Sequence, residues 1–237
     1  NKKIKGGCNM HIPDGFLNNN LATGLIAGAL GLLGYCFSRV LKAVTVLVGA
    51  LAGNNGKATS AVLGFSKNAG RYFQKMGIIA VWVFAFQMFN IPIQSSTSAH
   101  LIGGVFAAVL VGPFAGLIVI SSVLIIQCFF FADGGLLSIG ANIVNMAFIG
   151  SFLSYYIYKA FLKSNYYFAI CAACFFSVMA AAFACIVELG ISGTVSFSNA
   201  LSDMMKMHLI FAVLESVLTL ALLKLFKNIM GGTNDKE

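Results

Sequence analysis

The 237 residues are 59% hydrophobic and only 9% charged, with a mean hydropathy of +0.90. A soluble domain carries roughly a quarter charged residues, so composition excludes a water-soluble fold and leaves a polytopic membrane protein of one domain. The net charge of +8 therefore reports on the sidedness of membrane loops rather than on nucleic acid.

Lys2, Lys3 and Lys5 look like the basic start of a signal peptide, but no apolar run follows them. Next comes Met10-His11-Ile12-Pro13-Asp14-Gly15-Phe16-Leu17, a polar, turn-prone octet set against a very apolar chain. With Met10 as the first residue, its amine, the His11 backbone nitrogen and the His11 imidazole would close consecutive five- and six-membered chelate rings. One further imidazole completes a planar set of four nitrogens, which suits Ni(II), Cu(II) or low-spin Co(II) better than Mg(II) or Zn(II). The alternative is a terminal tail that turns at Pro13-Asp14-Gly15. Because the chelate needs a free amine, residues 1–9 are expected to be an upstream extension or remnant, with the working chain starting at Met10.

The first span is expected at about Leu21–Phe37, where Gly24, Gly28, Gly31 and Gly34 offer small-residue faces for close packing. Val44–Leu51 is too short to cross and either prolongs that helix or lies at the interface. Gly53-Asn54-Asn55-Gly56 then breaks it. The second span, about Gly77–Ile91, ends at Pro92 and leads into the polar run Gln94–His100. Such a run survives at membrane depth only if protein buries it or it lines a cavity. His100 at its end is the natural fourth ligand; the alternative is that it caps the following helix.

From Leu101 to Phe131 the chain is apolar, broken at Gly112-Pro113 by either a kink or a turn. A turn gives seven spans and puts Arg39, Lys42, Lys57, Lys67, Arg71, Lys75, Lys159, Lys163, Lys224, Lys227 and Lys236 on one side against Lys206 alone. A kink splits them across both faces, so the positive-inside rule selects the turn. The expected fold is an all-α membrane protein, a bundle of about seven transmembrane helices. Its N-terminus lies outside, on the same face as His100, and its C-terminus is cytoplasmic. Gly104, Ala108 and Gly112 suggest a tightly packed helix between them.

The Gly-rich loop Asp133–Gly140 lacks the Lys and strand-to-helix context of a phosphate cradle. It reads as a tight exterior turn over the site, with Asn142 and Asn145 as inward polar groups. The last three spans fall at about Ile139–Tyr158, Tyr166–Leu189 and His208–Phe226. Cys171-x-x-Cys174 matches a redox or metal pair, but its apolar neighbours favour packing. Glu188 and Glu215 are either functional intramembrane groups or interhelical hydrogen-bonding groups. His208, with Met204, Met205 and Met207 beside it, is a rival ligand or an interface anchor.

Three separated segments carry a resemblance: the octet Met10–Leu17; Ser98-Ala99-His100-Leu101-Ile102-Gly103-Gly104; and Asp133-Gly134-Gly135-Leu136 running on through Gly140-Ala141-Asn142 to Asn145-Met146. In this order they resemble the CbiM/NikM family, the membrane-embedded substrate-binding subunits of cobalt and nickel energy-coupling-factor (ECF) transporters. The likeness runs from Met10 to about Phe226, and Pro13-Asp14 looks like the cobalt branch. It implies a transport subunit rather than an enzyme, with high-affinity binding of Co(II) or Ni(II) at the extracellular face through Met10, His11 and His100. It implies no resident cofactor. Its implied partners are a transmembrane coupling subunit, two ATPase subunits, and in cobalt systems a small accessory membrane protein. The chain has no Walker motif of its own. The organisation expected is residues 1–9 as extension, 10–230 as one transmembrane metal-binding domain, and 231–237 as a polar cytoplasmic tail.

Two readings come from other classes. An intramembrane metal-dependent hydrolase would use His100, His208 and Glu215, but the chain lacks His-Glu-x-x-His and Gly-x-Ser-x-Gly. A passive metal channel would need polar residues repeated along several spans, and they are sparse.

Overall fold

The computed structural model describes residues 11–52, 58–88, 91–93, 97–195 and 197–231. Met10, the break at residues 53–56 and the tail from 232 onward lie outside them. Helix α1 (Asn19–Ala52) starts where Asn18 Oδ1 accepts the Leu21 N–H at 2.8 Å, an N-cap bond. Its 34 residues run well past Phe37, because Arg39 and Lys42 are good helix formers and charge alone does not end a helix. Helix α2 (Ala58–Gln87) begins earlier than expected for the same reason. A short antiparallel pair follows, β1 (Ile91–Ile93) with β2 (Thr97–Ala99), in the register Ile91↔Ala99, Pro92↔Ser98 and Ile93↔Thr97. The polar run thereby satisfies part of its backbone without a helix.

Helices α3 (Gly104–Val111) and α4 (Pro113–Phe131) meet at Gly112, whose φ of 86° favours glycine. The junction is a turn. A Cβ on Gly116 would lie 2.8 Å from Ala108 Cα, whereas eight residues of one continuous helix would separate those positions by about 12 Å. The next rod is continuous: α5 (Ile139–Asn142), a π-helical stretch over Ile143–Leu153, and α6 (Ser154–Phe161). Helix α7 (Tyr166–Ile191) is capped by Asn165, whose side chain accepts from Phe168 N at 3.0 Å. Helix α8 (Phe197–Gly231) begins well before His208 and forms with α7 the most extensive helix pair of the bundle.

Counting the α5–π–α6 rod once, the described residues form seven helical rods, as expected. Four stretches within them, Asn19–Thr45, Pro113–Phe131, Tyr166–Ile191 and Met204–Asn228, are each long and apolar enough to cross a bilayer. Large apolar side chains such as Val81, Phe129, Phe130 and Tyr167 point outward, which suits lipid as the surrounding solvent. The chain is a multi-pass membrane protein. Helix α3 is only eight residues long, too short to span a hydrocarbon core of about 30 Å. It sits at the centre, with Gly104 through Ala108 and Val111 buried, so the non-helical backbone before it is screened by protein.

Small residues set how closely these rods approach. A Cβ on Gly104 would fall 2.2 Å from the Gly150 carbonyl oxygen of the π stretch, and one on Gly140 would fall 2.3 Å from Ile26 N of α1. The π stretch is tied inward by Ser177 Oγ, which donates to that same Gly150 carbonyl at 2.6 Å. Gly24, Gly28, Gly31 and Gly34 make no close contact within the chain: a Cβ at each meets nothing within 4 Å. Their face of α1 is exposed, and α1 packs on α5 and α4 instead.

Replacing Gly104 by Ala pits a methyl group against backbone and should cost about 1–3 kcal/mol. Gly31→Ala, in open space, should be neutral or slightly stabilising. Thermal unfolding of the two variants in the same detergent checks the contrast; equal melting temperatures would contradict the close approach of α3 to the π stretch.

Candidate metal centre

The segment from His11 to Asn18 folds back over one end of the bundle, held by bonds to distant parts of the chain. Ile12 N donates to Asn142 Oδ1 at 2.9 Å, and Asn142 Nδ2 donates back to the Ile12 carbonyl at 3.3 Å. The Asp14 carboxylate accepts from the backbone N–H of Leu136 at 3.0 Å and of Leu137 at 2.7 Å. Gly135 N donates to the Ile12 carbonyl at 2.9 Å, and Ser138 Oγ to the Pro13 carbonyl at 3.0 Å. Further along, Thr194 Oγ1 donates to the Phe16 carbonyl. Apolar contacts complete the dock: Ile12, Leu17 and Ala22 bury against Ala141, Ala182, Ile186, Leu189 and Met204. The Asp133–Gly140 loop is therefore the tight turn over the site that its glycines suggested. A Cβ on Gly135 would strike Asp14 at 2.1 Å, and Gly134 holds a φ of 84°.

This docking delivers His11 to His100. Their ring centroids lie 4.3 Å apart, with the planes tilted by 54°, and each residue is 3% exposed. His100 Nδ1 lies 3.0 Å from the Leu101 carbonyl. A carbonyl can only accept, so Nδ1 carries the proton and the free lone pair sits on Nε2. That Nε2 has no hydrogen-bond partner among the described residues. His11 Nδ1 meets Asp133 Oδ1 at 2.9 Å. Asp133 stands there because α4 ends in left-handed Ala132 and the Asp133 N–H bonds the Gln127 carbonyl at 3.2 Å, turning the chain sharply.

Of the expected ligands, His11 and His100 come together, and Met10 lies outside the described residues. His208 does not cap the helix pair at the surface as an interface anchor would: it is 2% exposed, with Nδ1 2.7 Å from the Met204 carbonyl. Both intramembrane carboxyls make hydrogen bonds. Glu188 accepts from Asn145 Nδ2 at 2.7 Å, and Glu215 accepts from Ile102 N at 2.9 Å and Gly103 N at 2.7 Å. Sequence reasoning missed Asp133, Asp14 and Gln87 as site residues. The first two sit in the octet and the Gly-rich loop, where a lone acidic residue in a glycine-rich turn was the available signal. Among the described residues, no three His, Cys, Asp or Glu side chains are disposed to hold one ion.

Burial, reinforced by the neighbouring His11, pushes the His100 imidazole down from 6.5 to about 3, against the Leu101 carbonyl and Asp133. Burial pushes the Asp133 carboxyl up, but its contact with His11 and the charges of His11 and His100 outweigh that and hold it below its usual range. His100 is therefore neutral at pH 7, the form a metal ligand requires. Its folded value lies below its unfolded one, so as pH falls the unfolded chain takes up the proton first. The stability His100 contributes is whole above about 6.5 and drains toward 3, by up to about 1.4 kcal/mol per pH unit. Chemical unfolding from pH 8 to 4 should show this decline, and His100→Asn, which cannot titrate, should flatten it.

A model of the family described as the cobalt uptake substrate-specific transmembrane region, CbiM, matches residues 11–231. A relative in Archaeoglobus fulgidus bearing the name fused nickel transport protein NikMN is 34% identical over 212 residues. The match covers 89% of this chain and 63% of that protein, so the chain spans less than two thirds of that relative. The cobalt transport protein CbiM of Thermosipho melanesiensis is 33% identical over 100 residues, 42% of this chain and 43% of that one. A crystal structure of a truncated transition metal transporter superposes with a TM-score of 0.74 at 28% identity, covering 92% of this chain and 99% of the other. The fold and these likenesses agree, and the chain belongs to the CbiM family of substrate-specific transmembrane regions.

Proposed function

We propose that the protein is the substrate-specific subunit of an ATP-driven ECF-type importer and binds Co(II) or Ni(II) at the extracellular face. The observation that carries the reading is the close pairing of the His11 and His100 rings at the end of a fold-back segment. The Met10 amine, the His11 backbone nitrogen and His11 Nδ1 take three corners of a square, and His100 Nε2 takes the fourth. In that set His100 must stand next to the His11 ring, not across from it. With metal–nitrogen bonds of about 2.0 Å, each ring centroid lies about 3 Å from the ion, and centroids 4.3 Å apart subtend roughly 85°. That angle is an adjacent corner.

His11 Nδ1 is the nitrogen Asp133 meets, so the ion takes the place that the carboxylate faces, and coordination needs that nitrogen free of a proton. Asp133 then lies beside the cation as a compensating charge. Copper is favoured over both cargo metals by intrinsic affinity, which leaves metal supply and the shape of the cavity to set the choice. The basic residues support an outside N-terminus. Lys75 Nζ donates to the Leu110 carbonyl at 2.9 Å, at the end of α3 away from His100. The exposed glycine face of α1 is the surface offered to a transmembrane coupling subunit, and ATPase subunits supply the energy this chain has no motif to harvest. A hydrolytic role for His100, His208 and Glu215 is not favoured, since both Glu215 oxygens are occupied by backbone N–H groups.

Ni(II) titration by calorimetry separates the ligands. Protein beginning at Met10 should bind at least about 100-fold more tightly, roughly 3 kcal/mol, than protein carrying residues 1–9, and His100→Ala should lose as much. Equal affinity with and without the extension would remove the amine from the site. In a second measurement, Asn142→Ala should weaken binding about 10–100-fold by freeing the Ile12 backbone, seen in the same titration.

A further inference from the structure

Glu215 sits on α8, two turns beyond His208, and is 2% exposed. Its two oxygens accept from consecutive backbone N–H groups, those of Ile102 and Gly103. The Ile102 N–H belongs to the peptide unit whose carbonyl is that of Leu101, and this carbonyl is the one that takes the His100 Nδ1 proton. One amide plane therefore joins the carboxyl group of Glu215 to the imidazole of His100. The next peptide is held as well, because Gln87 Nε2 donates to the Ile102 carbonyl at 2.7 Å. Gly103, at a left-handed φ of 69°, bends the backbone so that both N–H groups face one carboxyl.

We propose that Glu215 is a positioning residue for His100 and acts through the Leu101–Ile102 peptide, as a relay from carboxyl to amide to imidazole to metal. The inference rests on the reading of His100 as a ligand of Co(II) or Ni(II). A histidine that binds a metal through one nitrogen usually donates its other N–H to a carboxylate or a carbonyl, which fixes the tautomer and raises the basicity of the donor. Here the carbonyl is itself backed by a carboxyl group. Withdrawing the Ile102 proton toward Glu215 polarises the amide and makes the Leu101 oxygen a stronger acceptor, since hydrogen bonds in series strengthen one another. The stronger that acceptor, the more electron density His100 Nε2 offers to the ion. The same bonds fix where the ring points. Glu215 also ties α8 to the loop that bears the ligand, so a shift of α8 changes the quality of the site.

Glu188 supplies the comparison. It is a buried carboxyl on the neighbouring helix α7, at 7% exposure, but it bonds Asn145 rather than the His100 loop. Glu215→Gln keeps the volume and turns one acceptor into a donor facing an N–H. Ni(II) affinity, the visible absorption of bound Ni(II) and the melting temperature without added metal are measured for the wild type, Glu215→Gln, Glu215→Asp, Glu188→Gln and His100→Ala, each beginning at Met10. The relay predicts that Glu215→Gln binds Ni(II) about 10–100-fold more weakly with shifted absorption bands. Glu215→Asp, which keeps two acceptor oxygens but is one methylene short, should fall between it and the wild type. Glu188→Gln should melt lower yet keep wild-type affinity and bands. If His100→Ala loses Ni(II) while Glu215→Gln binds with wild-type affinity and spectrum, the relay is wrong and the receptor reading stands. If His100→Ala binds like the wild type, the receptor reading itself fails. Should Glu215→Gln not accumulate, Glu215→Asp decides: wild-type affinity and bands in it overturn the relay.

Discussion

The paired hydrogen bonds between the Ile12 backbone and the Asn142 side chain hold the rest of the site in place. They join positions 130 residues apart and fix the segment beside His11 to the first turn of the π-containing rod. The Asp14 carboxylate then claims Leu136 and Leu137, so the segment cannot slide along the loop. Once it is fixed, His11 has little choice of position and meets His100 at the bundle end. Each of these bonds satisfies a backbone group that would cost about 1–3 kcal/mol if buried alone. A fold-back of this kind is therefore stable only as a set.

Polar groups buried in this bundle are few, and most have one assigned task. Asn145 and Glu188 join the π stretch to α7, Ser177 holds the Gly150 carbonyl, and Gln87 and Glu215 grip the two peptides that follow Leu101. The ligand-bearing loop is thereby suspended between α2 and α8. The fold-back segment is suspended between the Asp133 loop and α7. Two flexible pieces of backbone become rigid by being tied to rigid helices, which is how a binding geometry is held within fractions of an ångström.

Much of the architecture was readable from residue order. The apolar runs gave the helices, and Gly112-Pro113 is the turn that the distribution of basic residues selected. His11 and His100 were singled out from their neighbours together with the family resemblance, and the structure brings their rings together. Helix limits were less readable, because Arg39, Lys42, Lys67 and Lys75 lie within helices that continue past the apolar stretch. The glycines of α1 pack on nothing within the chain, since small residues state that an approach is permitted without naming a neighbour. The π stretch leaves no periodic trace, its register being set by Gly104 and Ser177 from elsewhere in the chain. Asp133, Asp14 and Gln87 were missed for the same reason: each acts on a residue far away in sequence.

The proposed receptor role requires that one ion be held by nitrogen from Met10 and His11 and by an imidazole from the loop after β2. X-ray absorption on protein beginning at Met10 and loaded with one equivalent of Ni(II) tests it most directly. The account predicts four nitrogen neighbours at about 2 Å and outer-shell scattering from two imidazoles, falling to one imidazole in His100→Ala. A shell dominated by oxygen, or an unchanged imidazole count in that variant, would contradict it.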